Sequence, residues 1–151
     1  MSTHRPLCAT EIQTMEAAGC RAADWSQVQV AEGFDARRVR NCVFSGQVRV
    51  GALRGMVQVG GVALPAEIVN ATIADCTLGD DVRVAQIGGV VSGYDIEAGA
   101  TVADVGTMVT RPGATFGNGV AVAAVNEAGG REVRIFNELS KARESGMAGN
   151  I

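Results

Sequence analysis

Asn70 to Met108 runs NATIADCTLGDDVRVAQIGGVVSGYDIEAGATVADVGTM. Stepping by six from Thr72 gives Thr72, Leu78, Val84, Val90, Ile96, Val102 and Met108, and every one after the first is aliphatic or methionine. The residues two places earlier, Asn70, Cys76, Val82, Gly88, Tyr94, Ala100 and Gly106, carry no charge either. The alternate positions, in the same phase carried on past Met108, hold Asp75, Asp81, Arg83, Asp95, Glu97 and Arg111. Side chains alternate across a strand, so this pattern describes short strands that each turn a pair of side chains inward before a turn.

Three such steps make a circuit of about 18 residues, each strand pairing with its equivalent one circuit on, ~4.8 Å away. The outward positions can then be compared between circuits. Val69, Ile87 and Val105 stack in one row, Ala71, Gly89 and Thr107 in a second, and Ile73, Val91 and Val109 in a third, forming one face without a charge. Soluble proteins rarely leave so large an apolar face in water, so a cover is expected. Another copy of the chain, related by cyclic symmetry, is the expected cover, with the chain's own terminal helices as the other option. A homotrimer with Val69, Ile73, Ile87, Val91, Val105 and Val109 at the subunit interface is the resulting expectation. A charge at Val90, read as inward, is expected to prevent folding.

Working outward, residues 1–24 are expected to form a tail and a short helix, 25–125 the repeats, and 126–151 a strand and helix cap. The helix is placed at Cys8 to Ala18, with Leu7, Ile12 and Met15 on one side, Glu11 near its start and Gly19 as its stop. Val28 and Val30 begin the alternation; Cys42 and Phe44, then Val48 and Val50, continue it. The frame slips at Val57 and Val59, before a loop at Gly60-Gly61 and Leu64-Pro65. It slips again after Met108, with Ala114 and Phe116, then Val120 and Val122, as later inward pairs. Arg131 to Phe136 alternates like a strand, and Asn137 can cap a short helix to about Ser145.

Composition narrows the classes. Twenty glycines with four Phe, one Trp and one Tyr suit a narrow core of small and β-branched side chains rather than a large aromatic cavity. A net charge of −3 gives no reason to expect nucleic acid. No apolar stretch suits a membrane span, the longest uncharged run, Pro112 to Asn126, being broken by Pro and Gly. Cys8, Cys20, Cys42 and Cys76 show no close spacing of metal-ligand type and are read as reduced cytosolic thiols, so the expected location is cytoplasmic. Arg37, Arg38, Arg40, Arg49 and Arg54 fall in a stretch without an acid; they are either a solvated surface or a guanidinium cluster for phosphate or carboxylate, with Arg38 and Arg49 as candidate ligand contacts. Asn126, Glu127 and Arg131, beside Glu132, could line a polar site at the end of the repeats or form a capping turn.

With the repeats placed, the chain resembles the hexapeptide-repeat proteins of the trimeric left-handed β-helix superfamily. It resembles in particular the N-terminal segment of a bacterial family of long, uncharacterised proteins of that type. The closer likeness rests on Gly19-Cys20-Arg21-Ala22-Ala23-Asp24-Trp25, on Phe44-Ser45-Gly46 with Val48-Arg49-Val50-Gly51, and on Asn126-Glu127-Ala128-Gly129-Gly130-Arg131-Glu132-Val133. The resemblance implies an all-β fold, a left-handed parallel β-helix with short N- and C-terminal helices. Better-known members transfer acyl groups in clefts between subunits, commonly with a histidine as base. Here the single histidine, His4, lies outside the repeats, and three-histidine metal sites of the same fold cannot be built from it. A carboxylate such as Asp75, Asp104 or Glu127 could serve as base, although turn aspartates ordinarily bind backbone amides.

The expected function is therefore an oligomeric scaffold or ligand-binding module of a transferase-like family, taking a small sugar or phosphate ligand and needing no cofactor and no metal. The alternative is an acyl- or nucleotidyltransferase acting on a sugar or sugar nucleotide between subunits, with acyl-CoA or a nucleotide-sugar as co-substrate.

Overall fold

The computed structural model describes residues 3–110, Gly113 and the strands Val120–Ala123 and Glu132–Ile135. The chain is mainly β and divides into two compact units, Met1–Arg111 and Pro112–Ile151. The first opens with β1 (His4–Pro6), α1 (Ala9–Ala17) and β2 (Arg21–Ala22). A 3₁₀ turn at Trp25–Gln27 leads into β3 (Val28–Ala31), another at Ala36–Arg38 into β4 (Val39–Ser45), and β5 (Val48–Val50) follows. Next come β6 (Met56–Val59) and β7 (Val62–Pro65), an antiparallel hairpin turning at Gly60-Gly61. The regular part runs through β8 (Ile68–Ala74), β9 (Thr77–Leu78), β10 (Arg83–Ile87), β11 (Val91–Ser92), β12 (Asp95–Ile96), β13 (Thr101–Val105) and β14 (Met108–Val109). In the second unit β15 (Val120–Ala123) pairs antiparallel with β16 (Glu132–Ile135).

The strands β2 to β5 and β8 to β14 stack in three parallel sets, which the chain visits in turn. One set is β3, β5, β9 and β12; a second is the first half of β4 and of β8, then β10 and β13; the third is β2, the second half of β4 and of β8, then β11 and β14. In the regular part Leu78 lies opposite Ile96, Val84 opposite Val102 and Ile73 opposite Val91, each eighteen residues apart. The step lengthens where the hairpin is inserted, Phe44 lying opposite Ile73. Stacking aligns the inward residues into columns: Val30, Val50, Leu78 and Ile96; Val39, Ile68, Val84 and Val102; Phe44, Ile73, Val91 and Met108. The first three members of each are buried, and these columns are the core.

Corners are made by residues in the left-handed backbone region, and these also align. Asn41, Asn70, Gln86 and Asp104, with φ between 51° and 56°, occupy equivalent places in four successive circuits. The Asn41 amide nitrogen Nδ2 donates to Asn70 Oδ1 at 2.7 Å, and Asn70 Nδ2 to Gln86 Oε1 at 3.2 Å, so the column carries its own side-chain ladder. Gly46, Asp75 and Gly93 form a second set of corners, and Asp81 and Gly99 a third. Glycine, asparagine and aspartate tolerate this conformation best, which is why they recur there.

Two expectations need correction. After each of the corners at Asn70, Gln86 and Asp104 the next residue points inward, whereas the six-residue step puts Asn70 itself inward and places the later pairs two residues after Gln86 and Asp104, at Gly88 and Gly106. On that side the alternation is therefore inverted: Ala71 and Ile73, not Asn70 and Thr72, face the core, and Ile87 and Val91 do so in place of Gly88 and Val90. A one-residue shift moves a strand's whole side-chain set to the other face. Ile73 and Val91 are fully buried, Ile87 nearly so, and Val105 packs against the same core. They are not available as a subunit interface; of the six, Val69 is half-buried and only Val109 is well exposed. Four of the nine residues of the charge-free face, Ala71, Ile73, Ile87 and Val91, belong to the interior, so no continuous apolar face is left to call for a trimer.

The N-terminal helix lies where expected. Glu11 accepts the Cys8 backbone N–H at 2.9 Å, Gly19 (φ 86°) ends the helix, and Met15 is buried in the core. Asn126, Glu127, Arg131, Ala114, Phe116 and the helix expected after Asn137 lie outside the described residues, and so does the expected boundary at residues 125–126. Among the described residues no helix is long and apolar enough to cross a membrane.

Candidate functional site

The arginines from Arg37 to Arg54 do not form one cluster. Arg37 pairs with Asp35 through two hydrogen bonds of 3.0 Å. Arg40 meets Glu67 at 2.6 Å, and Glu67 also holds Arg83 at 2.7 Å. Arg38 donates to three backbone carbonyls, those of Arg54 (2.8 Å), Gly55 (2.9 Å) and Ala66 (3.0 Å), and so ties together the base of the β6–β7 hairpin. Its role is structural, since a guanidinium bonded three times to carbonyl oxygens has little left for a ligand. Arg54 lies across Gly33, where a Cβ would meet its Nη2 at 1.9 Å.

Arg38 and Arg54 border an open groove of about 620 Å³ between α1 and the segment Gly33–Arg38, floored by Phe34 and Leu53. Glu11 is on its wall, its carboxyl held down to about 2, first by the Arg5 guanidinium that hydrogen-bonds it and then by the Cys8 amide. The groove thus carries charges of both signs, most of them already paired.

Arg49 is elsewhere, exposed on the outward side of the β3–β5–β9–β12 set. Register places Gln29 opposite Arg49 in one neighbouring strand and Thr77 in the other. Gln47 precedes Arg49 by two on the same side, and Gln27 and Ser26 lie beside it. These five, Ser26, Gln27, Gln29, Gln47 and Arg49, enclose a hollow of about 260 Å³ without a carboxylate or an apolar side chain. A second hollow of about 250 Å³ shares Gln47 and Arg49 and adds Asp75 and Thr77. Among the described residues the Arg49 side chain makes no hydrogen bond or ion pair. The site therefore offers one uncommitted guanidinium framed by three amides and the Ser26 hydroxyl, with Thr77 and the Asp75 carboxylate in the adjoining hollow, at strand spacing of ~4.8 Å one way and ~6.7 Å the other. Such a set can take an anion on the arginine and ring or chain hydroxyls on the amides.

Of the carboxylates considered as bases, Asp75 is occupied, and two further aspartates are held in the same way. Asp75 accepts the Gln47 N–H at 3.0 Å, Asp80 the Ala52 N–H at 2.8 Å, and Asp81 the N–H groups of both Arg54 and Gly55 at 2.8 Å. The last two bonds keep the Asp81 carboxyl below its ordinary range. These aspartates fasten the irregular 46–55 segment to the circuit below it. Asp104 is a corner residue, and Glu127 lies outside the described residues. Tyr94, an inward position by the sequence pattern, packs half-buried against the core. His4 is on β1, where its Nε2 is enclosed with no hydrogen-bond partner. No group of three His, Cys, Asp or Glu residues suited to a metal occurs among the described residues.

Sequence reasoning found Arg49 and missed Ser26, Gln27, Gln29, Gln47 and Thr77. They come together across steps of 20 and 28 residues, as Gln29 to Arg49 and Arg49 to Thr77, which no fixed period would align. The sequence held one signal, the polar residues alternating with Val28, Val30, Val48 and Val50.

Residues 4–148 match a sequence family described as "Domain of unknown function (DUF4954)". A protein of Treponema pallidum (strain Nichols), titled "Uncharacterized protein", is 28% identical over 144 residues, covering 87% of this chain and 20% of that protein. The chain spans about a fifth of the length of this relative. No solved structure matches. Since the matched segment takes in nearly the whole sequence, the chain belongs to the DUF4954 family.

Proposed function

We propose that this chain is a rigid binding module, a left-handed parallel β-helix of the hexapeptide-repeat kind, which presents the Arg49 side to a small anionic ligand that also carries hydroxyl groups. A sugar phosphate and a sugar acid share that chemistry. The fold part of the reading is supported by the eighteen-residue register and the three sets of left-handed corners. The ligand part rests on one observation: Arg49 is an exposed guanidinium without a partner inside a hollow that contains no acid, whereas Arg37, Arg38 and Arg40 from the same stretch are engaged within the fold. The transferase alternative has no comparable support, since Asp75, the carboxylate beside Arg49 in the adjoining hollow, is already bonded to the Gln47 N–H.

The test is a ¹⁵N NMR titration of the full chain with glucose 6-phosphate, glucuronate and glucose. The side-chain signals of Arg49, Gln27, Gln29 and Gln47 should move with one or both anions and not with glucose, and Arg49→Gln should abolish the response while leaving the rest of the spectrum in place. Whichever anion acts at the lower concentration identifies the source of the charge. If neither moves these signals, or if Arg49→Gln responds like the unaltered chain, the module does not bind there.

A further inference from the structure

We propose that Cys20 and Cys42 form a reversible disulfide that fastens the first circuit of the stack to the second. Arg21 lies opposite Val43 and Ala22 opposite Phe44 in parallel register, so the preceding residues, Cys20 and Cys42, face one another across adjacent strands. Adjacent strands are ~4.8 Å apart, inside the ~4.4–6.8 Å Cα separation that a disulfide requires. Both side chains are buried on the inward side, with 1% and 0% of their surface exposed. The other two thiols are placed differently. Cys8 is exposed at the start of α1, and Cys76 is in another column, its Sγ against the carbonyls of Ala74 and Val91.

The two thiols are not equivalent. Cys20 Sγ lies against the Val39 carbonyl and Cys42 Sγ against those of Arg40 and Ile68. The proximity of Cys42 pushes Cys20 down to about 7, while the same proximity together with burial pushes Cys42 up. A hollow of about 530 Å³ lined by Glu16, Gly19, Cys20, Arg21 and Asn41 opens beside Cys20, the side from which an external disulfide would approach. The co-reactant is a low-molecular-weight disulfide. The Cys20 thiolate attacks one of its sulfurs, forming a mixed disulfide and releasing one thiolate. Cys42 then loses its proton and attacks Cys20 Sγ, forming the internal bond and releasing the second thiolate. Two protein thiols are oxidised, the external disulfide is reduced to two thiols, and the exchange runs backwards under excess thiol.

The loop closed by this bond holds Ser26, Gln27 and Gln29, one half of the Arg49 hollow, and Gly33 to Arg38, one wall of the α1 groove. Oxidation would stiffen both without adding a contact to either.

The experiment treats the folded chain carrying Cys8→Ser with oxidised glutathione, blocks remaining thiols by alkylation, and reads intact mass, tryptic peptides and melting temperature. Expected are a chain about 2 Da lighter than the reduced one before alkylation and unable to take alkyl groups on Cys20 and Cys42 after it, the peptide containing Cys20 joined to that containing Cys42, and a transition raised by roughly 10 °C over the reduced chain. The rise should be absent in Cys42→Ala, whose own transition under reducing conditions shows that it folds. Two thiols that stay alkylatable, glutathione adducts without an internal bond, or a link through Cys76 would each overturn the proposal.

Discussion

Asn70 shows how much of this fold depends on single residues. It holds φ at 53°, accepts an amide hydrogen bond from Asn41 and donates one to Gln86, so it joins three circuits at one corner. Asn70→Ala loses both bonds and leaves a Cβ-bearing residue without local compensation in the left-handed region; destabilisation of about 1–3 kcal/mol is expected. Asn70→Gly loses the bonds but not the conformation, and about 1 kcal/mol is expected. Urea unfolding of the two variants checks the order, and an alanine variant as stable as the glycine variant would show that the backbone angle is not the costly part. In the sequence Asn70 looked like one uncharged member of an inward series. A residue's backbone angle is set by where the chain must turn, and a single asparagine does not announce that turn.

At the scale of the strand, the six-residue step gave the right inward pair for β9, for the start of β10, for β12 and for the start of β13, where Cys76 and Leu78, Val82 and Val84, Tyr94 and Ile96, and Ala100 and Val102 pack against or within the core. It failed on one side of the stack, where corners follow one another by five or seven residues instead of six. Short strands of two residues have no alternation of their own to correct the frame, so one misplaced corner inverts the side. The consequence for mutation is direct. Val91→Asp places a charge at a fully buried position between Ile73 and Met108, and loss of the folded state is expected. Val90→Asp, at a half-buried position, should give a folded protein with a lowered melting temperature. Circular dichroism of both variants decides it: equal loss of structure in the two would return Val90 to the interior. The candidate site was legible in part for the same reason. Arg49 stood out by type, but its neighbours are set by register, which depends on the inserted hairpin.

At the scale of the whole fold, four carboxyls among the described residues, those of Glu11, Asp24, Asp35 and Asp81, are held below their ordinary range in the folded chain, Glu11 at about 2 through Arg5. Lowered folded values mean that the unfolded chain binds more protons in acid. The stability they contribute is therefore complete above the ordinary carboxylate range near ~4 and is lost as pH falls from about 5 towards 2. Unfolding measured against pH should be level from 7 to 5 and then decline, and Glu11→Gln should flatten that decline while costing most at neutral pH. An unchanged acid limb in the variant would mean that the Arg5–Glu11 pair contributes nothing to folding in solution.

The first strand and the helix after it also set a limit on how copies of this chain can join. β1 lies antiparallel along the outer edge of β3, and α1 puts Met15 into the core at the same end, so that edge offers no parallel template to an incoming strand. A head-to-tail polymer needs parallel pairing to continue across each junction, and β1 interrupts that pairing for the β3–β5–β9–β12 set, which disfavours fibre growth through this edge.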